Sequence, residues 1–290
     1  MYQIQNDFLS VGVLSKGAEL CSIKNLQTDK EYIWQANPEI WNSHAPNLFP
    51  IIGALKNGEF HYNNRRYQLP KHGIVRNNSD IKLKEQKPDF LIFNLKYSDE
   101  TLKNYPFKFN LEIKFELKEK TLRVSHKISN LDEKPMYFSV GGHPAFNAPL
   151  YERETYEDYY LEFDQNQDLN TNLLNKDGLI SSETVAVIRD DNKIQLHRNL
   201  FDKDALIFKN IESKEVALKS KKSGTVLTVE YNDFKDLGIW AKPGAPYVCI
   251  EPWIGYADVE GTTQDLKTKE GIMELMPSKT FDASYVITIA

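Results

Sequence analysis

Segment 109–128 constrains the chain more than any other. In "FNLEIKFEL", Phe109, Leu111, Ile113, Phe115 and Leu117 alternate with Asn110, Glu112, Lys114 and Glu116. Successive side chains of an extended strand point to opposite sides, so a period of two gathers the apolar set on one face. After the polar pair Glu119-Lys120 the pattern resumes in "LRVSHKI", with Leu122, Val124, His126 and Ile128 on the apolar side. Two such runs around a polar turn predict an antiparallel hairpin of half-buried strands.

The same strand–turn–strand pattern recurs at 59–69 around Asn63-Asn64, at 215–231 around Lys221-Lys222-Ser223-Gly224, and at 271–289 around Pro277-Ser278-Lys279. Helical periodicity is confined to short stretches at 262–271 and near Glu152–Asp158, and the polar segment Asn166–Asp177 reads as an excursion loop. Many strands separated by turns predict an all-β fold, a large antiparallel sandwich or barrel with few short helices. No linker, repeat or low-complexity tract interrupts residues 1–290, which predicts a single domain.

Charge and composition exclude several classes of partner. A net charge of -5 disfavours nucleic acid and anionic membrane, both of which require a basic surface. No apolar run approaches the roughly 18 residues of a membrane span. The start, Met1-Tyr2-Gln3-Ile4-Gln5-Asn6-Asp7, lacks the basic-then-apolar pattern of a secretion signal, so a cytoplasmic protein is expected. Cys21 and Cys249 lie far apart and have no metal-ligand spacing, and two reduced thiols are the expectation in that compartment.

Four stretches depart from alternation and concentrate reactive side chains: "LFPIIGALKNG" (48–58), "LPKHGIVR" (69–76), "VGGHPAFNAP" (140–149) and "CIEPWIGYAD" (249–258). Pro144 restricts His143 to an extended backbone, while Gly141 and Gly142 allow a ligand or another strand to approach. A histidine held this way can pass a proton near neutral pH. The same run also reads as a tight bend that happens to contain a histidine. His44, His61, His126 and His197 read as structural, His126 because it sits on the apolar face of a strand.

Glu251 follows the apolar run Val248-Cys249-Ile250, and a carboxylate there is costly to desolvate unless it is paired or put to use. Burial beside Trp253 would raise its pKa toward that of a working base. Hydrogen bonds to loop amides would satisfy it equally well. Trp253 and Tyr256 offer flat surface suited to the C–H face of a sugar, or to closing a core. HExxH, CxxC, GxSxG, GxGxxG and GxxxxGK[ST] are all missing, so zinc, acyl-enzyme and phosphate-loop chemistry lack their signatures. One histidine with one glutamate, and neither metal nor cofactor, fits proton transfer on a small polar molecule.

Together with "HAPNLFPIIG" (44–53) and "LFDKDALIFKN" (200–210), these stretches resemble, in order, the aldose 1-epimerase (mutarotase) family and especially its LacX-like branch. The resemblance implies a β-supersandwich whose open groove takes a monosaccharide and interconverts its α and β anomers. It implies His143 as the general acid at the ring oxygen and Glu251 as the general base at the C1 hydroxyl, with no cofactor. His72 and Asp204 would hold sugar oxygens, with Asp202 as the competitor of Asp204, and Arg76, Asn147 and Trp253 complete the candidate contacts. The family pattern implies an arginine after "FPIIG", where this chain has Ala54. Lys56 stands two positions on. A monomer or homodimer is expected. Three alternatives remain: a hexose phosphate as substrate, with Lys56, Lys71 and Arg76 as its cations; sugar binding without turnover; and glycoside processing with Asp204 as a second carboxylate.

Overall fold

The computed structural model describes residues 1–290. Its largest unit is a nine-stranded antiparallel sheet, in the order Ile180–Gln195, Tyr159–Leu174, Glu215–Ser220, Gly224–Glu230, Thr280–Ile289, Thr121–Asn130, Phe109–Lys118, Phe90–Lys96 and Lys82–Gln86. The hairpin at 109–128 lies at its centre, with Leu117 opposite Leu122 and every apolar residue of the alternating set buried. A second sheet runs Leu206–Phe208, Asp236–Trp240, Tyr247–Ile254, then Val140–Gly142 and Ala145–Asn147 end to end along its next edge, then Asn47–Leu48 beside the first of these. The sheets stack as a sandwich, and Leu111, Ile113 and Val124 of the first share one apolar core with Val140, Val248 and Ile250 of the second. A three-stranded sheet, Tyr2–Gln5, Leu9–Val13 and Leu20–Asn25, extends that core.

The hairpins expected at 59–69 and 215–231 are present as Glu59–Tyr62 with Arg65–Gln68 and Glu215–Ser220 with Gly224–Glu230. The one expected at 271–289 is not a hairpin. Met273–Leu275 pairs with Met136–Phe138, whereas Thr280–Ile289 joins the large sheet beside Thr121–Asn130, so the two runs part at Pro277. Asn166–Asp177 also departs from the expectation of a loop. Tyr159–Leu174 continues as a strand through it, paired with Ile180–Gln195 across several bulges. One face of this end is buried at Leu169 and Thr171, but Asn166, Gln167, Asp168, Asn170 and Asn172 around them are polar, so the residue types do not show the alternation that reveals a half-buried strand. The expected short helices are single 3-10 turns, Tyr156–Asp158 and Leu266–Thr268. The one α-helix, Asp99–Asn104, starts at a capping box between Ser98 and Thr101. No helix is long and apolar enough to cross a membrane.

Candidate active site

Strand Tyr247–Ile254 carries Glu251 in its interior, with a proline following it, and its neighbour changes character at the same level. Val140 and Gly141 pair with Ile254 and Trp253, and Ala145, Phe146 and Asn147 pair with Cys249, Val248 and Tyr247. The register is identical on both sides of the gap. "GGHPAFN" is therefore a single strand path with a break in its ladder, and His143 falls opposite Glu251. The break has a chemical cause: Pro144 and Pro252 lack the N–H groups that the ladder needs. The N–H groups of His143 and Ala145 face the opposite edge, where they continue the pairing with Asn47–Leu48 by donating to the carbonyls of Pro46 and His44 at 3.0 Å each, and Ile250 N–H still donates to the Pro144 carbonyl at 3.2 Å across the gap. Antiparallel partners share a face, so both side chains emerge together, with His143 Nε2 3.2 Å from Glu251 Oε2.

Of the two expected uses of the glycines, a ligand or another strand, the structure shows the second: they make room for protein. A Cβ on Gly141 would lie 2.8 Å from Trp253 Cδ1, and one on Gly142 would lie 2.6 Å from the Tyr285 hydroxyl. Gly141 thus lets Trp253 lie across the strand, and Gly142 lets the large sheet close behind His143. On the other side of Glu251 stands Gly238, whose absent Cβ would meet the Trp253 ring at 2.6 Å.

His143 and Glu251 sit at the wall of a cavity of about 630 Å³. Trp41 stacks on the His143 ring at 5.1 Å and 27°, and Trp240 meets it edge-on at 5.8 Å. Together they hold the imidazole in one orientation. Burial drives the His143 pKa down to about 3, and the positive charges of Arg76 and Lys71 add to this. Burial also lifts the Glu251 carboxyl well above its usual range; Asp204 pushes it further, against Lys71 and Arg76. Both groups are thus driven toward their neutral forms. Glu251 Oε2 and His143 Nδ1 have no hydrogen-bond partner.

His72 is buried on the same wall, its ring 5.7 Å from that of His143. It adopts a left-handed φ of 69° between Pro70 and Gly73, and Gly73 fits only because a Cβ there would strike the Phe49 carbonyl at 2.2 Å. Gly53 N–H donates to His72 Nδ1 at 3.2 Å, which leaves Nε2 as the protonated, donating nitrogen. Burial and the cationic surroundings hold the ring neutral.

Of the other expected residues, Arg76, Asp202, Asp204 and Trp253 line the cavity. Arg76 Nη2 donates to Ser43 Oγ at 3.1 Å, and its guanidinium lies 6.0 Å from the Trp41 ring. Asp204 acts electrostatically on Glu251. It adopts a φ of 73° and accepts the Ala205 N–H at 2.8 Å, a contact within its own loop. Asn147 is not on this wall. Its side-chain amide donates to the carbonyls of Glu31 and Ile33 and laces two backbone segments together. Lys56 is also elsewhere, with Nζ donating to the Glu260 carbonyl at 2.9 Å. Ala54 lies under the tip of the Tyr159–Leu174 ribbon, 3.5 Å from where a Cβ on Gly178 would stand, so a longer side chain would have to displace that tip.

Sequence reading missed Trp41, Trp240, Lys71 as a neighbour of both catalytic candidates, and Asn175, Lys176 and Gly178 at the ribbon tip, all of which line the cavity. Trp41 stands close before His44, whereas no histidine lies near Trp240 in the sequence. Cys249 was also missed as a neighbour of the pair. A ring nitrogen of His143, Sγ of Cys249 and a carboxylate oxygen of Glu251 lie within 4.8 Å of one another, and all three residues are buried. Cys21 and Cys249 are both free thiols. His126, as expected, is structural: burial lowers its pKa to about 4, and Nε2 lies 3.0 Å from Asn47 Oδ1.

Comparison with known proteins places this geometry in context. Residues 1–259 match the family profile described as Aldose 1-epimerase. The plasmid-encoded Protein LacX of Lactococcus lactis subsp. lactis is 34% identical, with 99% of this chain and 98% of that protein aligned. A galactose mutarotase related enzyme from Lactobacillus acidophilus superposes with a TM-score of 0.94 at 37% identity, covering 100% of this chain and 97% of that one. A galactose mutarotase-like protein from Lactobacillus casei superposes at 0.93 with 28% identity and full coverage of both chains.

Proposed function

Because the chain belongs to the aldose 1-epimerase family of isomerases, we propose that it interconverts the α and β anomers of an aldohexose, with His143 as general acid and Glu251 as general base. The observation that carries this reading is the shared register that sets His143 beside Glu251, 3.2 Å apart at the wall of one cavity. Glu251 takes the proton of the C1 hydroxyl while His143 delivers one to the ring oxygen, and the C1–O5 bond breaks. The open aldehyde turns about C1–C2, and closure on the other face reverses both transfers.

The proton count supports the assignment. Neutral His143 with a protonated Glu251 carries as many protons as the ion pair of protonated His143 with ionised Glu251. Ring opening converts the second arrangement into the first, which is the one burial favours. A dry site therefore stabilises the proton arrangement of the open-chain stage. Neutral His72, with Nε2–H free to donate, suits a sugar oxygen, and Asp204 and Arg76 suit hydroxyls across the cavity. Trp253 offers a ring face.

Polarimetry or NMR on freshly dissolved α-glucose and α-galactose tests the reading. Parent protein should speed equilibration, and His143→Ala should slow it by roughly two to four orders of magnitude. An unchanged rate in that variant would overturn the mechanism. A second reading, a hexose bearing an anionic group, is favoured by Lys71, Arg76, Lys176 and Lys203 on the cavity wall. Its mark would be acceleration for a hexose 6-phosphate that exceeds that for the free sugar and falls in Lys71→Met.

A further inference from the structure

We propose that His143, Cys249 and Glu251 also form a site for a thiophilic divalent cation, zinc above all, and that the bound ion switches off the proton-transfer pair. The inference rests on the mechanism proposed above only for its second half. The first half rests on geometry. Cys249 and Glu251 are two positions apart on one strand and share a face, and the register sets His143 opposite Glu251. Three donors of different chemistry are thereby fixed by backbone pairing, with ligand atoms mutually within 4.8 Å.

Zinc bonds of about 2.0–2.3 Å in a tetrahedron require donors roughly 3.3–3.8 Å apart. His143 Nε2 and Glu251 Oε2, at 3.2 Å, are already near that spacing, and the thiol needs only a small side-chain rotation to join them. The donor set of thiolate, imidazole and carboxylate suits zinc and excludes magnesium or calcium, which take oxygen ligands. Its two negative charges match the ion. Glu251 Oε2 is a polar atom with no hydrogen-bond partner on a side chain that is 1% exposed, so it is a ligand in waiting. The cavity that reaches His143 and Glu251 supplies an entry path and leaves the fourth coordination position open. On binding, the thiol proton and the proton held by the pair pass to solvent. Nε2 and the carboxylate then hold the metal and can no longer exchange protons with a sugar. Cys249 takes no part in the sugar chemistry, so the two properties are separable.

Cobalt(II) titration of the purified protein reads the site without any need for turnover. Parent and Cys21→Ser should each develop a thiolate-to-cobalt charge-transfer band in the near-ultraviolet at one ion per chain, and Cys249→Ser should develop none. Cys249→Ala repeats the measurement in case a buried serine hydroxyl unsettles the sheet. In the anomerisation assay, micromolar zinc should inhibit the parent reversibly, with a chelator restoring the rate. Cys249→Ser should match the parent without metal and need about tenfold more zinc or greater. No band in the parent, or a band that survives in both Cys249 variants, overturns the site. A band without mutarotase activity would retain the metal site and refute the function instead. Equal zinc inhibition of parent and Cys249→Ser would overturn the switch.

Discussion

Replacing Glu251 by glutamine removes a proton acceptor while keeping the shape of the side chain, and its effects on rate and stability should run in opposite directions. Loss of a general base costs about two to four orders of magnitude in rate, or roughly 2.7–5.4 kcal/mol of barrier. Stability behaves otherwise. Glu251 is 1% exposed, and burial raises its pKa above the ordinary 4.5. Below that value the carboxyl is protonated in both folded and unfolded chains and its ionisation costs nothing. As pH rises past it, the unfolded chain releases the proton while the folded chain retains it. Parent stability is therefore lost with rising pH, by up to about 1.4 kcal/mol per pH unit until the folded pKa is reached. Glutamine does not titrate. The melting temperature of Glu251→Gln, measured against the parent by calorimetry, should gain on it as pH rises above 4.5, by up to about 2–3 °C for each unit, until the folded pKa is reached. A gap that stays constant across this window would refute the claim that Glu251 is held in its neutral form, and full activity in the variant would refute its role as base.

Three further outcomes follow from the same geometry. The profile of kcat/KM against pH should stay level well below 6.5, because His143 is driven down to about 3; a loss of half the activity near 6.5 would contradict a buried neutral imidazole. The two limbs of that profile belong to the pair as a unit. Trp41→Ala, which removes the ring stacked on His143, should lower kcat more than it raises KM in steady-state assays, since it frees the imidazole to turn. Gly141→Ala should destabilise the fold by about 1–3 kcal/mol in urea titration, because the new methyl meets Pro252 carbonyl oxygen at 2.5 Å and the Trp253 ring at 2.8 Å.

The alternation of Phe109–Leu117 with Leu122–Ile128 determined a hairpin, because the period of two is a local property that a strand obeys whatever its partner. The residue types at His72, His143 and Glu251, each next to a proline or glycine, likewise marked chemistry without a fold. The polar run at 166–177 misled for the same local reason: its buried face carries Leu169 and Thr171 among polar neighbours, too few apolar residues for alternation to be read, so its strand and its tip over the cavity were invisible. The partnership of His143 with Glu251 was decided only by the tertiary structure. It depends on which strands become neighbours across more than a hundred residues and on a register that survives a break of two prolines. Trp41 reaches the imidazole from a loop outside these strands, a contact that only the packed structure provides. Pairing between distant strands is selected by the packing of the whole sandwich, where a slip of one residue would turn His143 to the other face, and no local period records that choice.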